Sequence, residues 1–112
     1  MMVQSDLYIH GPQAHLYAIV QMIVGIAKRV GADTTRESSM NIPIGMLMDV
    51  LVGDSMHLGS LIGLNTEDPE CVVVRVEMKD ELELRDALFQ CFPGIEIEMD
   101  EDVEDMVPWP FE

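Results

Sequence analysis

Positive charge is scarce in this sequence. Of 112 residues only six are Lys or Arg, against 21 Asp or Glu, and the formal net charge is −15. No Lys or Arg follows Arg85. A chain so poor in cations repels nucleic acid and anionic lipid, and a site for phosphorylated substrates would need more than six of them. Cysteine is scarce too. Cys71 and Cys91 are too few and too far apart for a metal knuckle or a redox pair, and both suit small, weakly exposed positions in a reducing compartment. The most apolar run, LYAIVQMIVGIA over residues 16–27, is 12 residues long and contains Gln21, whereas a membrane span needs about 20. No charged segment with a cleavage site opens the chain, so a cytoplasmic protein is expected. There is no nucleophile elbow, no Gly-rich phosphate loop followed by Lys and no recognised Cys–His signature, which makes a non-enzymatic role the expectation.

What the chain does hold is clearest over residues 70–112. Val72, Val74, Val76 and Met78 alternate with Cys71, Val73, Arg75 and Glu77, a period of two that specifies a strand. Ile95, Ile97 and Met99 alternate in the same way with Glu96, Glu98 and Asp100. Between them, DELELRDALFQCFPG reads as a helix: Asp80 and Glu83 have capping-box spacing, and Pro93 and Gly94 supply the stop. Acids accumulate here. Residues 1–66 carry five acids and three bases, net −2, so that −13 of the −15 falls on residues 67–112. Adaptation to high salt would spread the acids along the whole chain, and this placement argues instead for a surface that attracts a basic protein.

Upstream, Leu7 and Ile9 alternate with Asp6, Tyr8 and His10 in a short strand. Pro12 then suits the first turn of a helix running to about Val30, where Gly31 ends it behind Lys28 and Arg29. Leu16, Ile19, Ile23, Ala27 and Val30 form its inward stripe, yet Tyr17, Val20, Met22 and Val24 widen the apolar surface nearly all the way round. Such a helix is usually buried on two sides. Either the segment from Met40 to Val52 covers it, or a second copy of the chain does, giving a homodimer through residues 16–30 and 40–56. Ten methionines, with Met40, Met46, Met48 and Met56 close together, add adaptable contact surface. Residues 32–42 read as a loop, and residues 43–54 as a short helix with Ile44, Leu47, Met48 and Leu51 inward. Met56, Leu58, Ile62 and Leu64 suggest an irregular strand, and NTEDPE a hairpin loop. This element order fits an α+β fold of the ferredoxin-like split βαβ kind, an antiparallel sheet with helices on one face. One domain is expected over residues 1–100, with an acidic, aromatic-ended tail over residues 101–112.

Two constellations carry candidate function. On the sheet face away from the helices, Glu96, Glu98 and Asp100 would stand in line about 6.5–7 Å apart, with Glu77 on the same face and Glu101, Asp102, Glu104 and Asp105 continuing the charge. A nucleic-acid strand places one phosphate per roughly 3.4 Å of axis, so this line could occupy a groove meant for phosphates. The tail adds Trp109 and Phe111, spaced by Pro108 and Pro110, as anchors behind the guiding acids. In composition it resembles the acidic, Pro-Phe-terminated tail of bacterial single-stranded DNA-binding proteins, which recruits repair and replication enzymes. Here Glu112 follows Phe111 and displaces the free carboxylate, so that role is not carried over. The expected function is therefore a phage-encoded or immunity-type inhibitor that docks on a basic partner, a nucleic-acid-binding protein or nuclease, without touching nucleic acid or membrane itself and without a cofactor. The alternatives are a small metal- or ligand-binding enzyme domain using His10, His15 and His57, and a structural subunit assembled through the apolar helix.

Overall fold

A computed structural model of the chain describes residues 3–31 and 41–101. Residues 32–40 of the loop expected over residues 32–42, and the tail beyond Glu101, lie outside them. The described residues form an α+β fold of five strands and three helices. In chain order these are β1 (Val3–His10), α1 (Gln13–Val30), β2 (Ile42–Pro43), α2 (Ile44–Val52), β3 (Gly59–Asp68), β4 (Cys71–Met78), α3 (Glu81–Cys91) and β5 (Glu96–Glu101). The strands make one sheet in the order β2-β3-β4-β1-β5, and every neighbouring pair is antiparallel.

The alternations act as period two requires. Leu7, Ile9, Val72, Val74, Val76 and Met78 are buried in one cluster with Leu61, Leu64 and Ile95, and against them pack Leu16, Ile19, Ile23, Ile26 and Ala27 of α1 and Leu84, Ala87 and Leu88 of α3. From α2 come Ile44, Leu47, Met48 and Leu51, the four expected inward. Gly31 ends α1 in the left-handed region, and its N–H bonds to the Lys28 carbonyl at 3.3 Å. Val30 leaves the expected stripe and is exposed, and so is Tyr17, while Val20, Met22 and Val24 pack partly against the core. Gly45 is required by a close approach: a Cβ there would stand 2.5 Å from the Ser55 carbonyl oxygen.

Several local expectations are corrected. The capping box of α3 does not form, because Asp80 makes no side-chain cap bond and the Glu83 carboxylate is engaged elsewhere, 3.2 Å from His57 Nδ1. The Glu83 N–H bonds instead to the Asp80 carbonyl at 3.0 Å. β3 begins at Gly59, leaving Met56 and Leu58 outside it at 88% and 74% exposure. Its irregularity is real: the register with β4 shifts between Leu61 and Gly63, and again between Asn65 and Asp68. The NTEDPE loop contracts to a turn at Pro69 and Glu70, since Asn65 Oδ1 accepts from the Glu67 N–H at 2.9 Å and Asp68 Oδ1 from the Glu70 N–H at 2.8 Å. β2 was not foreseen. Two residues have no period, and Pro43 is tolerated because the strand lies at the sheet edge.

Candidate functional site

Antiparallel register fixes what the opposite sheet face presents. Across β5, β1, β4 and β3, one row reads Asp100, Asp6, Arg75, Gly63, the next Glu98, Tyr8, Val73, Asn65, and the third Glu96, His10, Cys71, Asp68. None of these residues belongs to the core cluster that packs with the helices. Glu77 shares the face one row beyond the Asp6–Arg75 pair, opposite Gln4 and Ser60. Glu96, Glu98 and Asp100 therefore do stand in line along β5, with Glu77 two strands away. Glu101 ends β5 opposite Ser5. The remaining residues expected to bind a partner, Asp102, Glu104, Asp105, Trp109 and Phe111, lie outside the described residues.

The face is not uniformly a charged surface. Asp6 and Arg75 form a two-pronged ion pair, Nε to Oδ1 at 2.7 Å and Nη2 to Oδ2 at 3.0 Å, with side chains only 2% and 11% exposed. Each cancels the other's charge, so neither adds to the display. Opposite charges at mid-strand positions of two neighbouring strands were a signal that sequence reading could have used. Around this pair, the centre of the face holds small and aromatic side chains: Val73 and Cys71 are buried, and Tyr8 and His10 half-buried. Acids flank that centre on two sides, Glu96, Glu98 and Asp100 on β5 and Glu67, Asp68 and Glu70 at the β3–β4 turn.

Two titrating groups report the local field. Burial pushes the Tyr8 phenol above its ordinary value, and the carboxylates of Asp6 and Asp100 push it further. Burial likewise raises the Cys71 thiol, helped by Asp68 and Glu98. Cys71 Sγ lies 3.7 Å from His10 Nε2, the composition of a nucleophile–base pair, but a thiol held protonated is a poor nucleophile. His10 turns its Nε2 to Glu98 as well, at 3.7 Å.

The other histidines are elsewhere. His15 packs against the Phe92 ring at 6.0 Å between centroids. His57 bridges Asp54 Oδ2 at 3.3 Å and Glu83 Oε2 at 3.2 Å, tying the α2–β3 connection to α3. The Asp54 carboxyl is held below its usual range by the Met56 N–H and by His57. The three imidazoles thus do not converge, and among the described residues no group of three or more His, Cys, Asp and Glu side chains is placed to hold a metal ion.

Two hollows open on the face, one of about 310 Å³ beside Val73, Cys71 and Asn65, and one of about 260 Å³ beside Glu98, Met99 and Asp100. Tyr8 lines both. A larger hollow of about 370 Å³ lies between α1 and the β3–β4 turn, but Asp68 is the one charged residue lining it. Among the described residues no helix is long and apolar enough to cross a membrane. Comparison with protein-family models, curated proteins and solved structures finds no match for this chain.

Proposed function

We propose that this chain is a non-enzymatic acidic binding protein that docks on a basic partner and occupies the partner's nucleic-acid-binding surface, as an inhibitor of phage anti-defence or immunity type does. The observation that carries this reading is the row of Glu96, Glu98 and Asp100 along an edge strand, on a face whose one arginine is already neutralised by Asp6. The net field of that face is negative, and it steers a cationic surface toward it. The described sheet carries it on a framework that supports a ferredoxin-like reading. What supports that reading, with β2 and α2 set aside as an insertion, is the order β3-β4-β1-β5 together with the helices after β1 and β4.

The test is displacement. Basic nucleic-acid-binding proteins are loaded with a fluorescent DNA duplex, and the chain is titrated in while anisotropy is followed at several salt concentrations. Release of the duplex that weakens with salt, and at least tenfold loss of potency in Glu96→Ser/Glu98→Ser/Asp100→Ser, is expected. Failure to release DNA from any of the proteins, or equal potency of the triple variant, would contradict the reading. Self-association is a second proposal, favoured by the exposure of Tyr17, Val50, Val52 and Met56 within residues 16–30 and 40–56. Light scattering of the purified chain at rising concentration should then give twice the monomer mass.

A further inference from the structure

The two hollows flanking Tyr8 differ in chemistry. In the larger, Val73 and the protonated thiol of Cys71 present apolar surface, since such a thiol behaves as a small hydrophobe, and His10, Glu67 and Asp68 line it beside them. The Asn65 Oδ1 there is taken by the Glu67 N–H. The smaller hollow sets the carboxylates of Glu98 and Asp100 beside Tyr8. Carboxylates beside an aromatic ring favour a cation, which gains from the charge and from the face of the ring. Asp6, next along β1, does not compete, because Arg75 already holds it.

Size and spacing narrow the occupant. Hollows of about 310 and 260 Å³ sit at or below the bottom of the roughly 300–1,000 Å³ range of small-molecule pockets. Each suits one side chain. Glu98, Tyr8 and Val73 are direct neighbours on three successive strands, so the outer two are about 9.5 Å apart at about 4.8 Å per strand. Alternate residues of an extended chain project about 6.5–7 Å apart on one side, and the long stem of Arg or Lys covers the remainder.

Resting on the reading that this face binds a basic protein, we infer that it recognises an extended basic segment by a two-part key: an apolar side chain seats on Val73 and Cys71, and an Arg or Lys two positions away lodges between Tyr8, Glu98 and Asp100. The acids steer; the paired hollows select. A basic surface without the adjacent apolar side chain would be attracted but weakly held.

The probes are three 15-residue peptides offered to the full chain. One repeats Leu-Thr-Arg-Thr, the second has Ser for every Leu at unchanged charge, and the third has Gln for every Arg. Affinity is read by calorimetry, and the contact site by amide shifts of labelled protein. The Leu/Arg peptide should bind at least tenfold more tightly than either control and shift the amides of Tyr8, Val73 and Glu98. Val73→Thr, nearly isosteric and strand-compatible, should erase most of the advantage over the Ser peptide, and Glu98→Gln/Asp100→Asn should weaken both Arg peptides. Equal binding of the two Arg peptides would overturn the two-part key while leaving a basic partner in place. Binding of the Gln peptide as tightly as the Leu/Arg peptide would overturn the cation hollow. No binding by any peptide would overturn the key and the basic-partner reading together.

Discussion

The two faces of one sheet obey different rules in this chain. On the inner face, Leu7, Ile9, Val72, Val74, Val76 and Met78 are at most 4% exposed and touch helices, so changes there act on stability through lost burial and cavities. On the outer face, Glu96 and Glu98 are exposed on a strand that, among the described residues, pairs only with β1, so changes there act on what the protein meets. Asp6 and Arg75 are the exception. They occupy the outer face at 2% and 11% side-chain exposure, and with Asn65, Cys71 and Val73, which are buried on the same face, they show that a face assigned by alternation need not be surface throughout.

Substitutions can sharpen that contrast. The largest effect is expected from Asp6→Ala, which removes the two-pronged carboxylate partner of a largely buried guanidinium and should cost about 3–5 kcal/mol in urea unfolding. Changing both partners to apolar residues of similar volume should recover most of that loss. Next comes Ile9→Val on the inner face, which should cost roughly 0.5–1.5 kcal/mol and leave affinity for any basic protein unchanged.

Alkaline pH should act through the outer face. Cys71 and Tyr8 both titrate above their ordinary values of 9.0 and 10.0 in the folded chain, so the unfolded chain gives up these protons first. Their contribution to stability is complete below the ordinary thiol value and is lost as pH climbs through the raised ones. Denaturant midpoints measured from pH 7 to 11 should therefore fall above about pH 9, and Cys71→Ser should flatten the first part of the fall. Smallest in stability is Glu96→Ser/Glu98→Ser/Asp100→Ser. Its unfolding free energy should stay within about 0.5 kcal/mol of the parent, because exposed charges away from packed features seldom matter more, while its binding to basic proteins collapses.

Much of this contrast was legible before any coordinates. The alternations of residues 71–78 and 95–100 assign each side chain to its face, because period two leaves a strand with only two faces and one must be apolar. The ends of α1 were equally plain, since Pro12 and Gly31 act within one turn of the backbone. What could not be read were contacts set by register or by distant partners. The Asp6–Arg75 pair joins residues 69 positions apart, and it needs β1 laid against β4 in one alignment. The capping box failed for a similar reason, as His57, remote in sequence, draws the Glu83 carboxylate away from the helix end. The two hollows were equally hidden, because they depend on β3, β4, β1 and β5 lying side by side around Tyr8.

The claim at the centre is that the sheet face opposite the helices is where a cationic protein docks. Amide shift mapping of the labelled chain, titrated with a basic nucleic-acid-binding protein that it displaces from DNA, addresses this directly. Shifts concentrated on Tyr8, His10, Val73, Glu96, Glu98 and Asp100, with the helices silent, are the predicted result. A footprint centred on α1 or α2, with that face unmoved, would contradict the account.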